Sequence, residues 1–96
     1  KKRTEQFLLR SDVFLALPGG IGTLFEVVEI FNKRVLGETS KKLFIINDFN
    51  YWNPLKNLLE HMIKENFLDK KTVLKNIEFI NFCEVKERLD DVQNSG

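Results

Sequence analysis

Cysteine is nearly absent from this 96-residue chain, which contains only Cys83. A single cysteine cannot form a disulfide within the chain, and it cannot supply the groups of thiolates that structural metal sites use. The composition is therefore typical of proteins in a reducing compartment, and we expect a cytoplasmic protein. We also expect no metal and no cofactor.

An excess of charge of one sign is lacking as well. The 15 basic and 14 acidic residues leave a formal net charge of +1, and the two signs are interspersed, so nothing indicates a nucleic-acid or membrane surface. No apolar run approaches the roughly 20 residues that a membrane span needs. The basic start, KKR, is followed by TEQFLLRSD rather than by an apolar stretch, and this pattern predicts no signal peptide.

What the chain does have is apolar content. Hydrophobic residues make up 43% of it and nine are Phe, which is enough for the packed core of one domain. Strand-like and helix-like patterns alternate along the chain. We predict strands within 12–19, 42–47 and 77–82, helices at 23 to about 36, 53–67 and 83–92, and a frayed tail at 93–96. Strands separated by helices predict a parallel sheet with right-handed crossovers, which is the Rossmann-like α/β class.

Three residues mark predicted helix ends. Gly37 supplies a stop for the first helix, Asn53 is the expected N-cap of the second, and Pro54 is expected at its first helical position. These residue types favour those places because Asn accepts a hydrogen bond from the first turn and Pro needs no N–H partner there.

The first predicted strand raises a question about the extent of the domain. Its VFLAL run is apolar at every position, which is typical of a strand covered on both faces. If the three strands pair in sequence order, this run lies at an open edge, where long apolar strands promote association. The chain also begins abruptly in the amphipathic KKRTEQFLLR. We therefore interpret residues 1–96 as one partial domain, the C-terminal part of a larger α/β domain with further strands upstream.

A glycine-rich loop, PGGIGT (18–23), joins the first strand to the first helix. In open α/β sheets ligands bind beyond the carboxyl ends of the strands, and glycines there let a ligand approach backbone N–H groups. Successive amides at the positive end of a helix form an anion-binding nest, and a phosphate fits it best. The alternative is structural: Thr23 and Glu26 have the spacing of a capping box. The loop lacks the Lys of a P-loop and the spacing of GxGxxG.

The nine residues PGGIGTLFE (18–26) resemble the PGGxGTxxE signature of the Lonely Guy family, cytokinin riboside 5′-monophosphate phosphoribohydrolases often labelled "lysine decarboxylase-like". Arg3 stands where the family has an arginine, and 41–67 resembles the family's next strand, loop and helix. Three places depart from the pattern: Thr4 replaces a lysine, Ile21 replaces a common aromatic, and KRVLG keeps only the last two residues of the family's helix ending. Nothing offers a recognisable setting for a pyridoxal-binding lysine, so we discount the literal decarboxylase label.

The resemblance implies hydrolysis of the N-glycosidic bond of a nucleoside 5′-monophosphate, an AMP-like substrate, to free base and ribose 5-phosphate. It implies catalytic roles for Arg3, as a fixed cation, and for Glu26, as a carboxylate that stabilises a cationic ribose. We expect the positive end of the helix to favour ionised Glu26. The implied phosphate-binding residues are Gly19, Gly20, Ile21, Gly22 and Thr23. The family also implies a homodimer or larger assembly.

Other polar candidates are assigned to the surface or to the core. We expect Glu29 and Arg10 to be exposed charges rather than site residues, and His61 to lie off the apolar face of its helix. Cys83 is expected to be a small buried hydrophobe.

Three aromatic residues follow the second strand and leave two interpretations open. They could wall a pocket for a base, or they could cover the edge of the core. The residues are Phe49, Tyr51 and Trp52.

Two rival classes remain. A similar loop on this kind of fold occurs in non-catalytic carriers of phosphorylated cofactors, such as molybdenum cofactor carrier proteins. A third hypothesis is an incomplete domain without activity of its own. The pair of Arg3 and Glu26 favours the enzyme, because a carrier needs the nest but not that pair.

Overall fold

The computed structural model describes the backbone of residues 13–95 and the side chains of residues 13–90. The described part is a three-stranded parallel sheet flanked by helices, as the predicted α/β class requires. In chain order the elements are β1 (Val13–Ala16), α1 (Ile21–Val35), β2 (Lys42–Ile46), α2 (Asn53–Lys64), α3 (Lys70–Asn76), β3 (Glu78–Ile80) and α4 (Val85–Ser95). None of the helices in this part is long and apolar enough to cross a membrane.

The sheet has the order β1-β2-β3, with Val13 opposite Lys42 and Phe44 opposite Glu78. The strands thus pair in sequence order, an arrangement that the sequence left open, and β1 lies at one edge of the described sheet. Because all three strands are parallel, their carboxyl ends meet at one edge, and the loops that follow them lie side by side.

The central strand β2 divides the core into two clusters. Leu43 and Ile45 contribute to the cluster under α1, α2 and α3, whereas Phe44 and Ile46 contribute to the cluster that includes Val85 of α4. Successive side chains of a strand point to opposite faces, so a strand covered on both sides is apolar at every position. Ile45 is fully buried; burial of such a side chain contributes about 1.5–3 kcal/mol.

The predicted end of α1 is confirmed. Gly37 has a φ of +76°, its N–H donates to the Arg34 carbonyl at 3.0 Å, and the Glu38 N–H donates to the Lys33 carbonyl at 2.8 Å. This pair of hydrogen bonds is a Schellman motif, in which glycine takes the left-handed conformation without steric cost.

The predicted cap of α2 is wrong by one residue. Trp52 is the N-cap, Asn53 is the first helical residue and Pro54 the second. The Asn47 side chain takes over the capping contact: its Oδ1 accepts the Trp52 N–H at 2.6 Å, and its Nδ2 donates to Asn53 Oδ1 at 2.8 Å. The side chain that accepts the Trp52 N–H thus lies five residues upstream, and local spacing does not predict this contact.

Two further differences concern the C-terminal part. The seven-residue helix α3 was not predicted, although Asp69 caps it by accepting the Thr72 N–H at 3.2 Å. Helix α4 begins at Val85, two residues later than predicted, and continues to Ser95, where we expected a frayed tail from residue 93. A short apolar run such as Val73–Leu74 gives too weak a periodicity to separate a helix from a loop.

Candidate functional site

The three loops at the carboxyl edge of the sheet are joined by hydrogen bonds. The Asn47 N–H donates to the Ile80 carbonyl at 2.7 Å, and the Phe82 N–H donates to Asp48 Oδ1 at 2.6 Å. On the other side, the Tyr51 hydroxyl donates to the Gly19 carbonyl at 2.5 Å. The loop after β2 therefore connects the glycine loop to the loop after β3. In the sequence, the only sign of this connecting role is the three polar residues of the NDFN run (47–50) after the strand.

The glycine loop leaves the first turn of α1 without a side-chain cap. The helix begins at Ile21 with Gly20 as N-cap, and no side-chain hydrogen bond caps it. Its first intrahelical bond runs from the Leu24 N–H to the Gly20 carbonyl at 3.0 Å. The preceding four amides are the orphan donors that every helix start has. They belong to residues 20–23, which are four of the five residues that the family resemblance implies for phosphate binding.

The capping-box interpretation of Thr23 and Glu26 is wrong. Because α1 begins two residues earlier than predicted, Thr23 is its third residue rather than its N-cap, and Glu26 is its sixth. A capping box needs the carboxylate at the third position after the cap, where it can reach back to the N-cap amide. Glu26 is thus not a capping residue.

The three glycines of the loop have different surroundings. A Cβ at Gly19 would lie 2.6 Å from Thr23 Oγ1, so packing against the first turn requires glycine there. At Gly20 and Gly22 a Cβ would meet no described atom within 4 Å, and neither residue has a positive φ. Within residues 13–95, neither sterics nor backbone conformation explains these two glycines. The space beside them is open at the place where the amides are uncapped.

Glu26 is exposed and lies in the second turn of α1. The first turn contains no acidic residue, and the field of a helix end falls off within that turn. Glu26 therefore lies beyond the turn in which the helix dipole has its main effect, contrary to the expectation from the sequence. Gly22 lies four residues before Glu26, on the same helix face, and side chains tilt toward the N-terminus of a helix. Glu26 therefore lies on the helix face on which Gly22 has no side chain.

The other acidic candidate, Glu29, is a surface residue as predicted. Its carboxylate pairs with Lys33 Nζ at 3.6 Å, one turn further along α1, and both side chains are about half exposed. The arginine candidates, Arg3 and Arg10, and the departure at Thr4 lie outside the described residues.

The aromatic residues after β2 separate into three roles. Trp52 is 6% exposed and belongs to the core, as one of the two interpretations required. Phe49 is 99% exposed and has a φ of +60°, so it neither covers the core nor lines a pocket within the described residues. Tyr51 lies between them, half exposed, with its hydroxyl on the glycine loop.

His61 is exposed, as predicted, whereas the prediction for Cys83 is wrong. Strand β3 ends at Ile80, and Asn81 caps a 3₁₀ turn over Phe82–Glu84 in which the Cys83 side chain is exposed. In the capping box of this turn, Glu84 Oε1 accepts the Asn81 N–H at 2.8 Å. The turn ends the strand two residues before the end of the predicted range 77–82.

An apolar groove of about 650 Å³ lies beside this edge, between α1 and α2. Its walls include Val28 and Phe31 of α1 and Leu55 and Leu58 of α2, and Tyr51 also lines it. Val28 and Leu58 are each about half exposed. The site therefore combines uncapped amides, an exposed carboxylate and an apolar groove.

The chain is similar to known proteins along most of its length. Residues 1–89 match a family model described as "Possible lysine decarboxylase". A "Cytokinin riboside 5′-monophosphate phosphoribohydrolase" from Rhodococcoides fascians is 39% identical over 72 residues, covering 70% of this chain and 36% of that protein. A "Probable cytokinin riboside 5′-monophosphate phosphoribohydrolase" from Oryza sativa subsp. japonica is 36% identical over 67 residues, covering 70% of this chain and 28% of the relative. An Arabidopsis thaliana phosphoribohydrolase is 34% identical over 67 residues, or 32% of its length. The chain thus spans about a third of these relatives.

Proposed function

The chain belongs to the Lonely Guy family, whose model carries the description "Possible lysine decarboxylase", and from this premise we propose that the intact protein is a nucleoside 5′-monophosphate phosphoribohydrolase. The reaction breaks the bond between ribose C1′ and the base nitrogen. Water supplies the new C1′–O bond, the base leaves with the electron pair and takes up a proton, and ribose 5-phosphate is the second product. Cytokinin riboside 5′-monophosphates, which the names of the relatives contain, are the substrate class to test first.

One observation carries the phosphate part of this proposal. Four uncapped amides, at residues 20–23, face a space in which Gly20 and Gly22 place no side chain. Phosphate oxygens accept hydrogen bonds from such amides, and the partial positive charge of the helix start adds attraction. A cap from a side chain would compete with the phosphate, and the described residues supply none.

Glu26 suits the sugar part of the substrate. It lies five residues beyond Ile21, which is about 7.5 Å along the helix axis, on the face that Gly22 leaves open. A phosphate on the first turn therefore brings the attached ribose toward the carboxylate. An ionised carboxylate stabilises the positive charge that develops on the ribose as the C1′–N bond breaks. The role of Arg3 as a fixed cation rests on the family resemblance.

Glu26→Gln tests the chemical step. The complete wild-type protein and the variant are compared for melting temperature, AMP affinity and release of free base from nucleoside monophosphates. Gln keeps the size and exposure of the side chain but loses its charge, so folding and binding should persist while turnover falls about 10²–10³-fold. Glu29→Gln is the matched control, since it removes an exposed carboxylate one turn away, and it should retain turnover.

Two results would contradict the proposal. Full turnover in Glu26→Gln would mean that the carboxylate has no catalytic role. A wild type that binds nucleotides but releases no base from any monophosphate offered would favour the carrier, whose binding needs the amides alone.

We also propose a homodimer or larger assembly for the intact protein. The proposal rests on the family resemblance, and the apolar groove between α1 and α2 gives a physical reason for association, since exposed apolar surface favours burial. Sedimentation of the complete protein at micromolar concentration should give at least twice the monomer mass. A clean monomer would contradict it. Residues 1–96 alone are no test, because the free edge of β1 could drive artificial association.

A further inference from the structure

Tyr51 reaches from the loop after β2 to the backbone of the glycine loop. Its hydroxyl donates to the Gly19 carbonyl, and its ring meets Trp52 edge to face, with centroids 5.2 Å apart and planes at 87°. Trp52 is a core residue, so this contact ties the Tyr51 ring to a fixed part of the fold. Tyr51 itself is half exposed, and its hydroxyl contributes little to the burial of the core.

The hydrogen bond to Gly19 also controls the next amide. The carbonyl of Gly19 and the N–H of Gly20 belong to one peptide unit, which is planar and trans, so the two groups point in opposite directions. A partner that holds the carbonyl therefore sets the direction of the Gly20 N–H. Gly20 is the N-cap of α1, and its amide is the first of the four without an intrahelical partner.

The glycine loop needs such an anchor on this side. Glycine has the widest conformational freedom of any residue, and a Gly-Gly peptide can rotate at low cost. The first turn of α1 lies close to Gly19 on its other side, since Thr23 Oγ1 lies 2.6 Å from the position that a Gly19 Cβ would occupy. Tyr51 is the only side chain among the described residues that hydrogen-bonds to the loop 17–20.

We propose that Tyr51 is a positioning residue for the substrate phosphate: by holding the Gly19 carbonyl, its hydroxyl keeps the Gly20 amide directed at the phosphate site. The inference rests on the proposed function, because it assigns the amides of residues 20–23 to a phosphate. It adds a residue outside the PGGIGTLFE motif to the machinery of the site, and it gives the loop after β2 a function beyond support of the core.

Tyr51→Phe in the complete protein is the test, since it removes the hydroxyl and keeps the ring. Calorimetry measures Kd for AMP and for adenosine, and the ¹⁵N-edited NMR signal of the Gly20 amide is followed during titration with AMP. One lost hydrogen bond should weaken AMP binding by about three- to tenfold, while adenosine binding changes less than about twofold because adenosine has no phosphate. The Gly20 amide shift on AMP binding should shrink.

Thr72→Val is the matched control. It also removes a partly exposed hydroxyl, which donates to Asp69 Oδ2 at 3.4 Å on α3 and makes no hydrogen bond to the glycine loop. It should leave both affinities unchanged. Retained adenosine affinity in Tyr51→Phe reports that the variant is folded.

Equal losses for AMP and adenosine, or no loss for either, would overturn the role of Tyr51. A wild type that binds AMP no better than adenosine would overturn both the phosphate assignment and this inference. If AMP is preferred and Tyr51→Phe removes the preference, the positioning role stands even when no base is released, in which case only the hydrolytic proposal fails.

Discussion

Among the described residues, none covers the first turn of α1, whereas its last turn is closed by both backbone and side-chain contacts. At the start, Gly20 supplies no side-chain cap and no described atom lies near the Cβ positions of Gly20 and Gly22. At the end, Gly37 completes a Schellman motif. Close by, the Arg34 guanidinium donates to the carbonyls of Ser40 and Lys41 at 3.2 and 2.8 Å, and to Lys75 of α3 at 3.3 Å.

Both ends of a helix carry unpaired backbone groups, so the difference between them is informative. The closed end joins α1 to the entry of β2 and to the end of α3, and it holds the fold together. The open end leaves its donors for an acceptor outside the described residues. Binding sites require such unsatisfied groups, because a donor already paired within the protein has no hydrogen bond to offer a ligand. The comparison predicts that changes at the two ends affect different properties.

The largest effect is expected at the open end. Gly22→Leu fills the space over the first turn, so it should weaken AMP binding about 10–100-fold by displacing charge-assisted hydrogen bonds. Adenosine binding should fall much less. The melting temperature should not drop, because Leu meets no described atom there and has a better helix propensity than Gly. Isothermal titration and thermal melting of the complete protein give both quantities.

Asn32→Leu is the control for this variant, since it adds the same side chain at an exposed position of α1 away from the loop. It should bind AMP as the wild type does. If Gly22→Leu loses affinity for adenosine as strongly as for AMP, the loop does not bind the phosphate, and the contrast between the two ends loses its functional meaning.

A smaller effect, on stability alone, is expected at the closed end. Arg34→Met keeps an aliphatic side chain but loses the donors to three carbonyls, so the free energy of unfolding should fall by about 1–3 kcal/mol. AMP affinity should stay within about twofold of the wild type. Urea unfolding of the complete protein measures the loss.

The neighbouring Lys33→Met serves as the comparison. It removes a charge whose single ion pair, with Glu29, is exposed, so it should cost less than about 0.5 kcal/mol. Equal stability losses for Arg34→Met and Lys33→Met would show that the hydrogen bonds of Arg34 do not hold the closed end.

Much of the fold could be predicted from the sequence because the hydrophobic periodicity and the residues that end helices and strands indicate the same elements. KLFII is apolar at nearly every position and forms the buried central strand, and Gly37 ends α1 in the left-handed conformation that the sequence pattern indicated. The position of the glycine loop at the carboxyl edge followed from the parallel topology alone. The PGGIGTLFE motif resembles the signature of the family whose model matches residues 1–89.

In each error, a helix or turn begins at a residue other than the one that local spacing predicts. Asn53 was predicted to cap α2, but Asn47 from the preceding loop satisfies that turn. Thr23 and Glu26 have the spacing of a capping box, but α1 begins earlier and leaves both inside the helix. Cys83 was expected to be buried, but the turn capped by Asn81 and Glu84 exposes it.

The amino-acid sequence by itself determined the class of fold and the place of the glycine loop, because alternating strand and helix patterns leave few arrangements that bury both faces of a central strand. The order of the strands is known from the structure. The tertiary structure decided the exact start of α1, and with it which amides are uncapped. It also placed Tyr51, 32 residues away along the chain, on the carbonyl of Gly19. That contact joins two loops that meet only because parallel strands end at one edge of the sheet. The residue spacing within either loop therefore cannot predict it.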